Sequence, residues 1–521
     1  TGNVTGNLTG GATITGNIGL GGATYGDSGQ VLTSGGSGAN ATWSTISASP
    51  EMTGIASGSL GSGKPVALTQ DGKLMPITGV TGLLGTAADI PDTSTGGGGL
   101  TYDSTNDKYV FFYKAANNHG KAVVGTLSGT TMTWGSPVTF TTATLQNYTT
   151  CAAFDAVNGK VLCFFAEGST NGKVVVGQVS GTGASATITM GTPVTVVSAH
   201  VEHPSLCVVG SNYAIVYNNG GTNKGQCRIG KYDGTNSSSW PNSEVQFLTS
   251  YSYYTYCWHD TTADKLLIGF ISQGGGNEGV NMVGTVSNDT VSFGSQYTYA
   301  NSTKVFQGCG VHDSTTGKNL IVYTGSSEYG YANVLTISGS TISYGTQKVI
   351  SSVTDTRSLN VAYDPIDKRF LAVFQKDGGT SGLKSQKLKI SGTDVVLEGS
   401  MTDVTLTTTA QNSLLFVVYD STTRSFVSSF RVSSEMDYYV ERIRGSNVTN
   451  SNYVGITKAA YTDGQTATLS VFGSINEAVT GLTTATRYYV GADGSFITTA
   501  DTEAISAGVA LASNRLLLKG Q

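Results

Sequence analysis

The chain of 521 residues carries 29 basic and 34 acidic side chains, a formal net charge of −5, with 70 glycines, 9 prolines and 12% charged residues. Its glycine content is about twice the usual ~7% and its charge about half the usual ~25%, a composition of β-strands joined by tight turns that excludes an all-helical fold. No Lys/Arg cluster tracks a phosphate backbone and no apolar run reaches bilayer length, which argues against nucleic-acid binding and membrane insertion.

The chain begins at Thr1 with neither Met nor a basic-then-apolar leader, which reads as a fragment of a longer protein. Residues 1–48 step through Thr-Gly-Asn triplets (Thr1-Gly2-Asn3, Thr5-Gly6-Asn7, Thr15-Gly16-Asn17), then Asp27-Ser28-Gly29-Gln30 and a glycine-rich run to Trp43. One apolar residue every three or four positions buries no core within a single chain. Three chains wound into a prism would bury one, so the segment is expected to be a trimeric stem, with a disordered linker as the alternative. Residues 49–94 are expected to form a β-element entering the next domain.

Residues 95–449 hold the strongest signal, an internal repeat. Six segments share an aromatic residue or His, then Asp, a polar turn, and a β-rich run that closes on an aromatic ten residues after the Asp. The aspartates are Asp103, Asp155, Asp260, Asp313, Asp364 and Asp420, spaced by 52, 105, 53, 51 and 56 residues. A degenerate copy with a shortened turn, Cys207-Val208-Val209-Gly210 to Tyr217, fills the one double gap. Each unit continues through a third and a fourth short strand, as in Lys121–Gly129 and Met132–Val138. Seven copies of a four-stranded unit of about 52 residues predict a seven-bladed β-propeller in an all-β chain. A linear solenoid is the alternative, but radial closure leaves no exposed sheet edge. The repeated Asp is expected to cap backbone N–H groups of its turn. His259 and His312 fill the slot held elsewhere by Tyr or Phe, as packing residues rather than metal ligands. Cys151, Cys207, Cys257 and Cys309 share a slot on first strands and are read as reduced core thiols. No metal site and no cofactor is expected.

The two ends of the chain resemble each other. Gly54-Ile55 and Gly63 to Leu68 match Gly455-Ile456 and Gly464 to Leu469 at a constant offset of 401 residues. The pair is expected to form related β-elements that pack together, with 450–521 continuing as a small C-terminal β-domain. The last repeat lacks an outer strand of its own, and Lys73-Leu74-Met75-Pro76-Ile77-Thr78 is expected to supply it.

Three phrases carry a resemblance: "DSGQVLTSGGSGANATW" (27–43), "VGTLSGTTMTWGSPVTF" (124–140), and "GLTTATRYYVGADGSFITTADTEAISAGVALASNRLLL" (481–518). In that order they resemble the stem, repeats and C-terminal module of tail-fibre and other virion structural proteins of tailed bacteriophages, of the marine and cyanophage kind. The resemblance implies a homotrimeric protein on the virion surface that contacts a host receptor and other virion proteins. It transfers no catalytic or ligand residue.

Three functions are weighed. The first is attachment to a host-surface receptor, expected to be a glycan, without catalysis. Aromatic faces stack on sugar rings and polar side chains read hydroxyls. Candidate contacts are the aromatic patch Tyr251, Tyr253, Tyr254, Tyr256 and Trp258, with core packing as its alternative role. Variable loops add Asn118, His119, Glu278, Glu328, Tyr329 and Tyr438. The second is a structural capsid-fibre, decoration or baseplate protein whose propeller docks another virion protein. The third is a polysaccharide depolymerase or glycosidase, which needs two carboxylates about 5–10 Å apart; Glu167, Glu278, Glu328 and Glu435 are the acids placed to pair. The Ser-x-Asp-x-Gly-x-Thr-Trp repeat of sialidases is absent at all four tryptophans, and no GxSxG or P-loop motif occurs.

Overall fold

The computed structural model describes residues 30–33, 42–45 and 50–519, apart from short internal stretches at 70, 81, 148, 274–275, 301–304, 306, 355, 377–381, 405–414, 433–434, 444 and 501–504. The fold is all-β and built from small antiparallel sheets. The chain divides into two units, one of residues 1–78 with 447–521 and one of residues 79–446.

In the second unit the repeat becomes a series of sheets. The first copy runs Ser94–Asp103, Lys108–Ala115, Gly120–Ser128 and Thr131–Trp134, each strand antiparallel to the next, with Val138–Thr141 continuing the outer edge. Six more sheets follow in chain order, opened by Cys151–Asp155, Val201–Val209, Ser252–Asp260, Gly308–Asp313, Thr356–Asp364 and Phe416–Asp420. Their second strands are buried on both faces, as Lys108–Ala115 is throughout. Alternation therefore sends Val110 and Phe112 into one apolar cluster with Val161, Cys163 and Phe165 of the second sheet. Phe111 and Tyr113 go into another, with Val427, Met436 and Val440 of the seventh. Each sheet thus packs on the one before and the one after, and the last packs on the first.

The degenerate third copy replaces the Asp turn with the two-residue turn Gly210-Ser211 between paired Val209 and Asn212. Gly210 takes φ = 60°, the left-handed start that such a hairpin needs.

The aspartates do what the turn chemistry requires, and more. All six are almost fully buried. Asp103, Asp155, Asp260, Asp313, Asp364 and Asp420 each accept the backbone N–H groups two and three residues on, at 2.7–3.2 Å. At several junctions the second carboxylate oxygen also accepts from the following sheet. The Tyr213 hydroxyl donates to Asp155 at 2.7 Å, Asn319 Nδ2 to Asp260 at 2.7 Å, and the Tyr109 hydroxyl to Asp420 at 2.6 Å. The aromatic-or-His slot works beside it. Tyr102, Tyr363 and His312 each meet a turn threonine of the preceding sheet, Thr422, Thr315 and Thr262, at 2.9–3.0 Å. Both histidines therefore serve packing and turn bonding, His259 by facing its own turn residue Asp264.

The outer strand of the seventh sheet comes from a segment other than the one expected. Leu83–Leu84 and Ala88–Asp89 pair with Glu435–Arg442, whereas Leu74–Pro76 pairs with Pro65–Leu68 in the first unit. Residues 79–94 accordingly belong to the second unit. Two 2-residue strands carry too little pattern to stand out in a sequence, whereas the apolar 74–77 stretch reads as a strand wherever it docks.

The first unit is assembled from both chain ends. Glu51–Ile55 pairs with Thr466–Ser470, and Pro65–Leu68 with Tyr453–Thr457. The two matching halves thus exchange strands, first with second, to make one sheet around Ala56, Leu60, Val66, Leu74, Ala467 and Leu469. A second sheet of the unit spans Ile475–Asn476 to Arg515–Leu517. Of the expected stem, Gln30–Thr33 and Thr42–Thr45 form a hairpin, and the Thr-Gly-Asn steps lie outside the described residues.

Tyr109→Phe removes one buried hydrogen bond to a carboxylate while leaving the Asp420 turn intact. It is expected to lower unfolding free energy by about 2 kcal/mol in a denaturant titration, a value typical of bonds to charged groups. An unchanged midpoint would show that this bond does not hold the last sheet to the first.

Candidate functional site

The first strands of the sheets run side by side in one direction. The His203 carbonyl accepts from Thr255 Oγ1, and Ser205 Oγ from the Cys257 amide at 3.2 Å, so 52 residues separate both pairs. The offset recurs where Gly308 and Gly310 leave room for the rings of Tyr256 and Trp258. All these strands therefore begin at the same end of the unit. The turns between second and third strands lie at that end too, since Ala115 pairs with Ser94 and Lys114 with Gly120.

At that end three sheets carry the same irregularity. Pairing skips from Glu202 to Ser205, from Tyr253 to Tyr256 and from Arg357 to Asn360, so two residues oppose one in each case. The opposed residues are Tyr217, Phe270 and Phe374, the closing aromatics of their repeats. Each bulge holds a non-glycine residue in the left-handed region: His203 at φ = 48°, Tyr254 at 45° and Ser358 at 50°. Such conformations cost about 1 kcal/mol or more and persist where neighbours over-determine them.

The bulges re-aim side chains. The His203 ring lies 4.7 Å from Tyr254, 5.7 Å from Tyr253 and 6.5 Å from Tyr251 between centroids, and Tyr251 lies 4.2 Å from Tyr253. Glu202 anchors this group. It accepts from the Tyr251 hydroxyl at 2.5 Å and Asn218 Nδ2 at 3.0 Å, and faces His200 at 3.7 Å. Burial lowers the His203 imidazole below its ordinary value, against the opposing pull of Glu202, which favours the neutral ring at pH 7. Burial, and then Glu202, push the Tyr251 hydroxyl well up. Burial raises Tyr254 against the opposing charge of Arg357, and Arg357 pairs with Glu328 at 3.5 Å.

Of these residues His203, Tyr254 and Arg357 line a cavity of about 650 Å³ walled by the first strands of the second to seventh sheets. Its wall alternates polar groups (Thr150, Ser205, Gln307, Asn360) with apolar ones (Leu206, Leu359, Phe416), and includes Cys151, Cys257 and Cys309. The six cysteines are free thiols. Burial pushes Cys309 up to about 11 and Cys151 well above its ordinary value, which makes these two poor nucleophiles at neutral pH.

The structure thus gathers Tyr251, Tyr253 and Tyr254 at one rim, with Glu328 beside it through Arg357. Tyr329 is half-buried against the cluster between the fourth and fifth sheets. Of the expected contacts, Trp258 and Tyr438 are core residues, and Tyr256 is a core residue that also lines the cavity. Tyr256 and Trp258 stack at 5.7 Å and 10° inside that cluster, with Trp258 Nε1 donating to Asn319. Tyr438 lies between the seventh and first sheets, where its hydroxyl accepts the Met132 amide. The regular alternation expected from Tyr254 to Trp258 is broken at the bulge, and Tyr253 and Tyr254 are partly buried against the cluster of Tyr256 and Trp258. Asn118 and His119 form the exposed turn after Lys108–Ala115, where His119 meets Asn117 at 3.0 Å, and Glu278 opens the strand Glu278–Ser287. Nothing brings these three to the aromatic group.

Of the acids considered for hydrolysis, Glu167 is held by Lys173 at 2.5 Å and by Thr141, and Glu328 by Arg357. Among the described residues no group of three or more His, Cys, Asp or Glu side chains is placed to hold a metal ion. Sequence reasoning missed Glu202, His203 and Arg357. Pro204, inside a strand pattern, was the available sign of a bulge beside His203.

No family model matches the chain, and none of the curated proteins compared with it matches. Among solved structures it is similar to the BP39L lectin from Burkholderia pseudomallei, with a TM-score of 0.52 at 8% identity over 68% of this chain and 98% of that one. It also aligns with AofleA from Arthrobotrys oligospora (TM-score 0.41, 10% identity, 65% and 92% covered). A third is the Cps50 (Swd1) β-propeller domain from Myceliophteria thermophila (0.42, 9%, 68% and 98%). At 8% identity the first likeness is one of fold, and the other two are too distant to carry an argument.

If the bulge strain is real, Ser358→Gly should leave stability unchanged or raise it by up to about 1 kcal/mol, the loss of strain being offset by glycine's extra unfolded-state entropy. Ser358→Val should lower it by roughly 2 kcal/mol, because a β-branched residue tolerates the left-handed region badly. Denaturant titration of the pair checks this, and equal effects would argue against strain.

Proposed function

We propose that residues 79–446 form a seven-bladed β-propeller that binds carbohydrate without catalysis, within a homotrimeric fibre protein on the surface of a phage particle. The aromatic rim carries the reading. Tyr254 and His203 on the wall of a mixed polar and apolar cavity, with Tyr251 and Tyr253 packed against His203, offer flat rings fixed by a carboxylate and by strained backbone. That combination suits sugars, whose C–H faces stack on rings while their hydroxyls take hydrogen bonds.

Several observations support it. Seven sheets follow one another and the last packs on the first, which is the connectivity of a closed propeller. A fold likeness strong enough to use is to a protein described as a lectin. Two of the four acids considered for hydrolysis, Glu167 and Glu328, are tied to cations, which supports binding over cleavage. The phage assignment, the trimer and the host receptor rest on the stem, repeat and C-terminal phrases of the sequence. A trimer would join three weak sites into one strong attachment.

Two measurements test the reading. Tyr253→Ala is expected to weaken binding to glycans on an array about tenfold or more, the loss of roughly 1.4 kcal/mol of stacking, with an unchanged melting temperature. A native chain that binds no glycan would favour the docking role, and release of reducing ends from a bound polysaccharide would revive the depolymerase. Light scattering should give three times 53.8 kDa for the full chain. A monomer would remove the trimer.

A further inference from the structure

We propose that the first and seventh sheets together form a site for an oxyanion (a carboxylate, sulfate or phosphate group), built from Arg431, Lys114 and Asn147 at the same end of the unit as the tyrosines. The site stands on its own residues and does not need the carbohydrate reading. Where that reading holds, the oxyanion is an acidic substituent of the glycan.

The repeat singles out the two cations. The residue that follows the closing aromatic is Lys114 in the first repeat and Arg431 in the seventh, and Ala166, Asn218, Ile271, Thr324 and Gln375 in the others. The two copies with a charge in this slot are the two whose sheets pack on each other, the last on the first. Lys114 pairs with Gly120 and Arg431 with Met436, each beside the turn between second and third strands, so both lie at the end where the first strands begin.

A third group joins them from the second sheet. Lys114 Nζ donates to Asn147 Oδ1 at 2.9 Å, and Asn147 comes just before the first strand Cys151–Asp155. Pairing slips on both sides of Lys114, which sets Gly96 opposite it. A Cβ at Gly96 would lie 3.0 Å from Asn147 Oδ1 and 3.9 Å from Arg431 Nη1, so glycine there keeps the space between these groups clear. Asn147 is exposed and Arg431 half-buried, which opens the group to solvent, while Lys114 is more deeply set at 9% exposure.

Charge is the remaining argument. Other half-buried cations of this unit meet carboxylates, as Lys121 meets Asp92 at 2.8 Å and Lys173 meets Glu167 at 2.5 Å. Lys114 and Arg431 lie close together instead, and among the described residues neither meets a carboxylate. Burial, and then the Arg431 charge, hold the Lys114 ammonium below its ordinary value. Two like charges partly withdrawn from water are costly unless an anion completes them. The planar guanidinium fork of Arg431 matches two oxygens of an oxyanion. With the Asn147 oxygen held by Lys114, its Nδ2 amide is left to donate to the same ligand.

The test uses the full chain and titration calorimetry. Inorganic sulfate and phosphate are the free probes, and oligosaccharides bearing uronic acid or sulfate groups are compared with their neutral counterparts. The native chain should bind the acidic members about tenfold or more tightly than the neutral ones. Arg431→Gln keeps the reach of the side chain and removes its charge, and should abolish that margin. Its melting temperature should hold or rise because a like-charge contact is gone, whereas a merely structural arginine would lower it. Arg431→Lys, which restores the charge without the fork, should recover part of the margin. A native chain that binds neither free anion and treats acidic and neutral members alike overturns the site; if it binds both members, the carbohydrate reading stands. An Arg431→Gln chain that keeps the acidic preference, or that melts several degrees lower, overturns the site as well. Binding of sulfate or phosphate but of no carbohydrate supports the site with a free anion as its ligand and overturns the carbohydrate reading alone.

Discussion

The buried aspartate at the turn between first and second strands is the constraint on which the second unit depends. A carboxylate withdrawn from water is costly unless several donors satisfy it. Here two backbone amides of its own turn do so first, and they fix that turn. The remaining oxygen then reaches the next sheet, and the local device becomes a long-range one: Tyr109 meets Asp420 across 311 residues. At Asp313 burial alone would raise the carboxyl. Hydrogen bonds from Thr316, Tyr363 and the turn amides outweigh it and hold the group below its ordinary value. The same contact therefore shapes the turn, spaces neighbouring sheets and joins the last to the first. The third sheet, which lacks the Asp, meets the fourth by other means: Lys231 pairs with Asp289 at 2.6 Å, and Asn242 donates to the carbonyls of Asn288 and Asp289.

That rigidity lets the opposite ends of the strands be irregular. With second strands buried on both faces and turns pinned by carboxylates, first strands have little freedom to slide. A bulge opposite Tyr217, Phe270 or Phe374 can then hold His203, Tyr254 and Ser358 in a left-handed conformation without the sheet relaxing around it. On the proposed reading, the order at one end of the sheets is what allows an aromatic rim to be built at the other.

Much of this was legible in the sequence, because it is carried by residue type at fixed spacing. Asp followed by an aromatic ten residues later marks a turn and a buried second strand, and both are visible without coordinates. The 401-residue offset likewise marked two related elements expected to pack together, and the structure pairs them strand with strand in one sheet. What stayed hidden depends on register and φ rather than composition. Tyr251 to Trp258 is one aromatic run, yet the bulge at Tyr254 and Thr255 breaks its alternation. Glu202 and Arg357 gain their meaning from neighbours about 50 and 29 residues away. The outer strand of the seventh sheet is two dipeptides, too short for any periodicity to show.

The low charge of the chain has a counterpart in how its ions are used. Glu202 is consumed in orienting Tyr251 and Asn218, Glu328 in opposing Arg357, and Glu167 in holding Lys173. With these charges engaged inside the protein, recognition on the proposed reading falls to stacking and short hydrogen bonds rather than to long-range steering. Both are weak individually and demand that several groups be placed together before a ligand arrives. A strained rim on a series of sheets whose last packs on the first supplies that placement in advance, which is why the bulges and the buried aspartates belong to one physical account.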